Sequence, residues 1–183
     1  MFYACLRLRF LDVGTNPRAP RRPVPTVCRL LCSNVRGLAG NLCDLTVASF
    51  RYDILLCSET LVSDMRHVLE LLVPGFGRPV LLRRGIRPRA RGTAAYERDG
   101  CGAFLQNKLE CGCCEMLVFR VCGESQNLYV LTLYCSPDLD GQIFDCLPTS
   151  MAAVQAEDVR ASFLFVGDFN DHHMEWLGSV VSG

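Results

Sequence analysis

The sequence is poor in several features that would point to a particular class of protein. Its 183 residues include one lysine, one tryptophan and three histidines, and 19 basic residues balance 19 acidic ones. No window approaches the roughly 18 uninterrupted apolar residues of a membrane-spanning helix, so we expect no membrane partner. Half of the residues are hydrophobic, which excludes the composition of a disordered chain. The sequence therefore predicts one folded domain of ordinary size.

The net charge of zero hides an asymmetry along the chain. Residues 1–98 carry 16 arginines, no lysine and 7 acidic residues, a net charge of +9. Residues 99–183 carry one lysine, two arginines and 12 acidic residues, a net charge of −9. This pattern favours an anionic partner on one side and a cation on the other. The alternative is that the preference for arginine reflects only the base composition of the gene.

The twelve cysteines indicate reduced thiols rather than a disulfide framework, which is typical of short secreted domains. Most of them, such as Cys32, Cys57 and Cys135, lie in apolar runs, where a thiol behaves as a small hydrophobic group. Arg7 and Arg9 interrupt the stretch that a signal peptide would need. We expect an intracellular protein that is not secreted.

The chain divides into a tail and linker at 1–26, rich in proline and arginine, and a domain at 27–183. The domain begins with strand–helix units and continues with consecutive strands, which predicts an α/β fold with sheets covered by helices. The predicted strands are Val27–Ser33, Asp53–Cys57, Cys101–Gln106, Met116–Val121, Leu128–Tyr134 and Ser162–Val166. The predicted helices are Leu38–Phe50, a helix from Ser63 to about Leu72, and Asp140–Asp158, in which Pro148 predicts a kink or break. Residues 78–100 are predicted to form a loop.

Polar residues follow four of the predicted strands. They are Asn34, Glu59, Tyr134, and the pair Asp168 and Asn170. Each alone is explained by a turn, a helix cap or a strand aromatic. Together, two carboxylates and two amides at strand ends make an oxygen-rich site for a hard cation, Mg²⁺ or alternatively Mn²⁺. An aspartate there can act as a general base, and amide N–H groups can stabilise charge on a phosphoryl group.

Four motifs occur in the order found in the endonuclease/exonuclease/phosphatase superfamily: Ser33-Asn-Val-Arg36, Cys57-Ser-Glu-Thr60, Tyr134-Cys-Ser-Pro137 and Gly167-Asp-Phe-Asn170. The continuation Asp171-His-His-Met-Glu-Trp176 resembles the apurinic-type endonuclease domain of non-LTR retrotransposons. The segment Lys108–Glu115 followed by Val118–Val121 is also similar to those element-encoded proteins. The resemblance covers about residues 27–183.

This resemblance implies a four-layer α/β sandwich and Mg²⁺-dependent cleavage of a phosphodiester. It implies that Asn34 and Glu59 serve the metal and the phosphate, with Glu59 the direct ligand. Tyr134 would contact the phosphate, Asp168 would orient or deprotonate the attacking water, and Asn170 would stabilise the transition state. His172 and His173 are expected to be a structural or substrate-facing pair.

The chain also departs from that family. The family continues into further strands and a Ser-Asp-His turn, which does not occur before Gly183. We expect the sandwich to lack its last strands, and the chain as given to be poorly stable and impaired in catalysis.

Two further clusters of the sequence have competing explanations. Arginines crowd residues 83–98 and, together with Arg36, are predicted to contact DNA phosphates: Arg83, Arg84, Arg87, Arg89, Arg91 and Arg98. The alternative is an ordinary solvated loop. Cys111, Cys113 and Cys114 invite a zinc site, but no second pair of ligands has the usual spacing, so a hairpin with reduced thiols is favoured.

The predicted function is a Mg²⁺-dependent DNA endonuclease domain of retrotransposon type, nuclear if functional, with no stable protein partner inferable. One alternative is a phosphatase or phosphodiesterase of the same superfamily acting on a small phosphorylated substrate. The other is a non-catalytic relic or nucleic-acid binder.

Overall fold

The structure, a computed structural model, describes residues 3–9, 27–62, 65–82, 92–101, 103–110, 114–122, 127–135 and 143–168. It is a mixed α/β protein with two β-sheets and few helices. The strands are β1 (Tyr3–Arg9), β2 (Val27–Asn34), β3 (Ile54–Ser58), β4 (Val80–Leu82), β5 (Thr93–Glu97), β6 (Ala103–Glu110), β7 (Cys114–Val121), β8 (Leu128–Cys135) and β9 (Ser162–Asp168). The α-helices are α1 (Leu42–Ser49) and α2 (Ile143–Glu157), and shorter 3-10 helices span Ala39–Asn41 and Met65–Leu71.

The first sheet has five strands in the order β1-β2-β3-β5-β4. β2 and β3 run parallel, and the chain between them forms α1. The other neighbours are antiparallel. The centre of β2 (Leu30, Leu31 and Cys32) and most of β3 are apolar and buried, as expected for strands that are covered on both faces.

The second sheet has four strands in the order β6-β7-β8-β9. β6, β7 and β8 are antiparallel neighbours, whereas β9 returns through α2 to lie parallel to β8. In the first sheet the parallel pair β2–β3 places the carboxyl ends of its strands at one edge. In the second sheet, the parallel pair β8–β9 also places its two carboxyl ends side by side. In each sheet, the loops that follow these two strands therefore leave from the same end.

Buried apolar side chains form three clusters, and successive residues along a strand belong to clusters on opposite faces of its sheet. One cluster fills the space between the two sheets, with Leu30, Leu56, Leu117, Phe119 and Val130 at its centre. A second covers the opposite face of the first sheet, where Leu38 and Leu45 of the α1 region and Leu71 of the 3-10 helix pack. A third covers the opposite face of the second sheet, where Val154 and Leu147 of α2 pack.

The predicted strands are confirmed, with changes of a few residues at their ends. The prediction of a loop throughout 78–100 was wrong, because Val80–Leu82 and Thr93–Glu97 are antiparallel strands of the first sheet. The two alanines of Thr93-Ala-Ala-Tyr-Glu97 concealed a strand whose neighbours, rather than its own propensity, hold it in place. Met65–Leu71 forms a 3-10 helix where an α-helix was expected, and α2 continues past Pro148 without a break.

The chain before residue 27 also differs in part from the predicted tail. The stretch Tyr3–Arg9 pairs antiparallel with residues 27–33 of β2, so it forms an edge strand of the first sheet. The proline- and arginine-rich segment at 16–25 lies outside the described residues, and the domain boundary at 27 stays a prediction.

Two further findings concern predictions about the class of protein. Among the described helices, none combines the length and apolar character needed to cross a membrane. The described cysteines whose side chains are placed, Cys28, Cys32, Cys43, Cys57, Cys101, Cys122 and Cys135, are all free thiols. Cys111, Cys113 and the side chain of Cys114 lie outside the described part, so the zinc alternative stays untested.

Arg98 has a structural role. This finding corrects its assignment to the arginine cluster that was predicted to contact DNA. Its guanidinium donates to the carbonyl oxygens of Ser49 at 2.5 Å and of Tyr52 at 2.9 and 3.1 Å, so it closes the carboxyl end of α1. It also stacks 4.6 Å from the centre of the Phe76 ring and lies 3.7 Å from a carboxylate oxygen of Asp53. These contacts use the planar, multiple-donor character of arginine.

Substitution of Arg98 is expected to destabilise the fold. Arg98→Gln removes the charge-assisted hydrogen bonds and the ring contact, so the free energy of unfolding should fall by about 2 kcal/mol. Urea denaturation followed by circular dichroism measures this change. Arg51→Gln is the matched control, because Arg51 is exposed in the neighbouring turn and should change stability by less than about 0.5 kcal/mol. Equal effects of the two substitutions would contradict the structural role of Arg98.

Candidate functional site

The candidate site lies at the end of the two sheets where the parallel strands of each sheet finish. Asn34 is the last residue of β2 and Asp168 is the last residue of β9. The Asn34 side-chain Nδ2 donates to Asp168 Oδ2 at 2.8 Å. This bond joins the two sheets and brings together residues that are 134 positions apart in the sequence.

The orientation of the Asn34 amide follows from its second hydrogen bond. Its Oδ1 accepts from the backbone N–H of Arg36 at 3.2 Å. A backbone N–H can only donate, so the oxygen must face Arg36 and the amide nitrogen must face Asp168. Asn34 therefore orients one carboxylate oxygen of Asp168, and its own oxygen keeps a second acceptor position.

Glu59 is held at the same end by its backbone. It follows Ser58, the last residue of β3 and the parallel partner of Asn34. The ladder continues beyond the strands, since Val35 N–H donates to the Ser58 carbonyl at 3.0 Å and Gly37 N–H to the Glu59 carbonyl at 2.8 Å. The backbone thus brings Asn34 and Glu59 to the same end of the first sheet. The Glu59 side chain is half-buried there.

Left-handed backbone conformations concentrate in these two loops. Arg36 has φ +46°, Glu59 has φ +53° and Leu61 has φ +52°. Each costs on the order of 1 kcal/mol or more for a residue with a Cβ, and such conformations cluster where surrounding structure and function require them. Their presence beside Asn34 marks this end of the sheet as the candidate site on grounds independent of the motifs.

Gly167 is required by the close approach of β9 to β8. It has φ +141°, and a Cβ there would overlap the backbone carbonyl of Leu133. Because Leu133 and Gly167 are partners in the parallel ladder, Tyr134 and Asp168 follow as the next pair. The glycine of the Gly167-Asp-Phe-Asn170 motif therefore sets the distance between the strands that carry Tyr134 and Asp168.

Two polar residues at this end were not predicted from the sequence. Glu115 of β7 is the antiparallel partner of Tyr134, and its Oε2 accepts a hydrogen bond from Thr93 Oγ1 of β5 at 3.1 Å. The sequence motifs include Glu115 without giving it a role, and Thr93 fell in the predicted loop. The available signal was the spacing of Glu115 from the buried Leu117 and Phe119. Residues two apart on a strand share a face, so this spacing places a carboxyl group on the same face as two buried apolar side chains.

Buried thiols beneath the site are kept neutral. The pKa of Cys32 is raised to about 11, first by burial and then by the negative charge of Asp168. Burial also raises the pKa of Cys57, with a further contribution from Cys32. These thiols are packing groups rather than nucleophiles at neutral pH, because the thiolate is the reactive form.

The remaining predicted site residues are only partly described. Arg36 is exposed at the site end of the first sheet. The others lie outside the described residues: Asn170, His172, His173, Arg83, Arg84, Arg87, Arg89 and Arg91. Their roles stay predictions from the sequence.

The donor set at this end fits a hard divalent cation. Glu59 and Asp168 supply carboxylates and Asn34 an amide oxygen, and Mg²⁺ binds to one or two carboxylates while keeping waters and substrate oxygens. Among the described residues, no group of three or more His, Cys, Asp or Glu side chains is close enough to form a metal cage.

Comparison with solved structures identifies the class of fold. No protein-family model matches the sequence, and no curated protein matches it. TDP2 from D. rerio complexed with single strand DNA product aligns at TM-score 0.53 and 17% identity, over 81% of this chain and 63% of that one. The human Nocturnin catalytic domain with bound sulfate anion aligns at 0.54 and 14%, over 84% and 69%. The Xenopus laevis APE2 catalytic domain aligns at 0.52 and 16%, over 79% and 59%.

These structures are members of the endonuclease/exonuclease/phosphatase superfamily. The resemblance predicted from the four motifs is confirmed at the level of the fold. The chain spans between 59% and 69% of the length of these three structures.

A methyl group at position 167 should disrupt the site end of the second sheet. Gly167→Ala forces a Cβ against the Leu133 carbonyl at an unfavourable φ, so we expect a loss of about 2–4 kcal/mol in unfolding free energy. Thermal and urea denaturation measure this loss. Gly40→Ala is the control, since a Cβ there meets nothing within 4 Å, and it should be neutral or slightly stabilising. A neutral Gly167→Ala would contradict the close approach of β8 and β9.

Proposed function

We propose that this chain is a divalent-metal-dependent nuclease domain that hydrolyses phosphodiester bonds of DNA. The observation that carries the proposal is the hydrogen bond from Asn34 to Asp168, which joins the ends of β2 and β9. It places two motif residues side by side, with Tyr134 on the strand next to Asp168 and Glu59 directly after the strand next to Asn34. Turn formation alone explains each residue singly but not their meeting across two sheets.

The proposed reaction begins with a water molecule held by Asp168. The hydrogen bond from Asn34 orients the Asp168 carboxylate, which would accept a proton from the water. The water oxygen forms a bond to phosphorus, the opposite P–O bond breaks, and the departing oxygen leaves with a proton from solvent. Asn34 keeps Asp168 in one rotamer, which is the preorganisation that makes proton transfer efficient.

Tyr134 and Glu59 complete the proposed site. Tyr134 offers a phenolic O–H to a phosphate oxygen, and the proposed Asn170 amide would stabilise the added negative charge. Glu59, with Asp168 and the Asn34 oxygen, would hold Mg²⁺ or Mn²⁺. When bound, the cation would neutralise charge on the phosphate group. The same residues fit the four-layer sandwich that the superfamily motifs imply.

The proposed substrate is DNA. The similar structure of D. rerio TDP2 is a complex with single strand DNA product, and the Asn170-Asp-His-His173 continuation resembles retrotransposon endonucleases. The positive charge of residues 1–98 would meet the phosphate backbone, while the acidic site receives the cation. We extend the proposal to a retrotransposon-type endonuclease on this sequence evidence.

Asp168→Asn tests the proposed chemistry. It keeps the shape of the side chain but removes the general base, so nicking of supercoiled plasmid in the presence of Mg²⁺ should fall by about 100-fold or more. Glu59→Gln should also weaken Mg²⁺ binding measured by isothermal titration calorimetry. Asp44→Asn on the exposed face of α1 is the matched control and should leave both unchanged.

Two outcomes would contradict the proposal. One is unchanged nicking by Asp168→Asn. The other is hydrolysis of an inositol phosphate by the unaltered chain without any nicking of plasmid, which would favour a phosphatase of the same superfamily.

Arginine contacts predict a salt-dependent affinity for DNA. Each phosphate contact contributes a slope of about −0.9 to the dependence of log affinity on log salt concentration. Arg36→Gln at the site end should therefore reduce the slope by about 0.9. Combined substitution of Arg83, Arg84, Arg87, Arg89 and Arg91 by Gln should reduce it by about 4.5. Fluorescence anisotropy with duplex DNA at several salt concentrations measures these slopes.

Arg160→Gln is the control for charge alone. Arg160 is exposed beside Ser162, at the opposite end of β9 from Asp168, and should leave the slope unchanged. Equal slopes for Arg36→Gln and Arg160→Gln would remove Arg36 from the DNA-binding surface.

A further inference from the structure

A ring of polar residues closes one end of the core between the two sheets. In the first sheet, Asn34, Ser58 and Thr93 are successive partners across β2, β3 and β5. In the second sheet, Glu115, Tyr134 and Asp168 are successive partners across β7, β8 and β9. The two rows face each other, and each contains three polar residues at the same level of its sheet.

The alternation along the strands shows that both rows face inward. Leu56, two residues before Ser58, belongs to the cluster between the sheets, and so does Ala95, two residues after Thr93. Leu117, two residues after Glu115, and Val130, four before Tyr134, belong to the same cluster. Because residues two apart share a face of a strand, these polar side chains form the layer above that core.

Two hydrogen bonds between the sheets close the ring at its opposite ends. Asn34 joins Asp168 at 2.8 Å on one side. On the other side, Thr93 Oγ1 donates to Glu115 Oε2 at 3.1 Å. Tyr134 stands between these two connections, with Asp168 as its neighbour on β9 and Glu115 as its neighbour on β7.

The connection between Thr93 and Glu115 is buried. Thr93 is 1% exposed and Glu115 is 3% exposed. A buried carboxylate loses its hydration, so a hydrogen bond to it contributes more than one at the surface. Glu115 and Tyr134 are directly opposed on antiparallel strands, and such pairs have Cβ atoms about 4.5–5.5 Å apart, so the two side chains leave the sheet as neighbours.

We propose that Thr93 and Glu115 are positioning residues that hold Tyr134 in the orientation in which it contacts the substrate phosphate. This inference rests on the proposed function, because it assigns the purpose of the pair to the phosphate contact of Tyr134. The pair fixes the wall of the site on the β7 side, as the bond between Asn34 and Asp168 fixes the wall on the β9 side. Neither Thr93 nor Glu115 touches the reacting atoms.

Substitutions at Thr93 separate positioning from packing. Thr93→Val keeps the volume of the side chain and removes the hydroxyl, whereas Thr93→Ser keeps the hydroxyl. Thr132→Val is the matched control, because Thr132 is also buried and lies on β8 two residues before Tyr134, one layer deeper in the core. Glu115→Gln keeps an acceptor for Thr93, and Glu115→Ala removes it.

The first readout is the environment of Tyr134 itself. The chain has five tyrosines, so labelling with 3-fluorotyrosine gives a ¹⁹F NMR spectrum with few signals. The signal that is lost in the Tyr134→Phe variant is assigned to Tyr134. Thr93→Val and Glu115→Ala should shift or broaden this signal. Thr93→Ser, Glu115→Gln and Thr132→Val should leave it near its original position. The measurement needs neither DNA nor a cation.

The second readout is the kinetics of plasmid nicking in Mg²⁺. Thr93→Val should lower kcat by about tenfold with KM within about twofold, because a displaced group loses its contact mainly in the transition state. Thr93→Ser should restore kcat. Thr132→Val should change stability without changing kcat, which a purely structural role for Thr93 would not predict.

The outcomes distinguish this inference from the proposed function. If the Tyr134 signal is unchanged in a folded Thr93→Val variant, or if Thr93→Ser behaves as Thr93→Val does, the inference is wrong. If Thr132→Val lowers kcat as much as Thr93→Val, positioning by this pair is also overturned. The expected NMR shifts, together with nicking that Asp168→Asn leaves unchanged, would contradict the proposed function and support the positioning of Tyr134.

Discussion

The candidate site depends on the hydrogen bond between Asn34 and Asp168, because it is a direct polar connection between the two sheets at the end where their loops leave. Each residue ends a strand that is parallel to its neighbour, β2 beside β3 and β9 beside β8. Parallel pairing brings two strand termini together within each sheet. The face-to-face packing of the sheets then brings the two sets of termini together. Four residues from distant parts of the sequence thus lie at one end, with Asn34, Tyr134 and Asp168 on strands and Glu59 directly after β3.

The residues of this convergence could be predicted because each follows an apolar strand. Continuous runs such as Leu30-Leu31-Cys32 and Ile54-Leu55-Leu56 indicate strands covered on both faces, and a polar residue directly after such a run must lie at the strand end. Asn34, Glu59, Tyr134 and Asp168 were found in this way. Which strands are neighbours is a property of the sheet as a whole, so the order β1-β2-β3-β5-β4 was beyond prediction from local pattern.

The opposite wall of the site could not be predicted for a related reason. Thr93 lies in a short strand whose two alanines have low β-propensity, and the strand exists because β3 and β4 pair with it on both sides. Arg98, in the same predicted loop, turns away to close the end of α1. Local composition cannot distinguish an arginine that binds phosphate from one that caps a helix, since both uses depend on the same planar donors. For Arg98 the structure shows the capping role, through its bonds to the carbonyl oxygens of Ser49 and Tyr52.

The polar ring and the left-handed backbone conformations lie at the same end of the two sheets. An apolar end would be sealed by side-chain packing alone, whereas the site proposed above for a cation and a phosphate would have to leave oxygen atoms accessible. The loops that carry Arg36 and Glu59 adopt left-handed conformations, each unfavourable by on the order of 1 kcal/mol. The ladder bonds from Val35 and Gly37 to the carbonyls of Ser58 and Glu59 hold these conformations in place. These hydrogen bonds offset the stability lost at the loops, and they also fix the backbone position of Glu59. The strain and the position of Glu59 in the candidate site therefore have one structural cause.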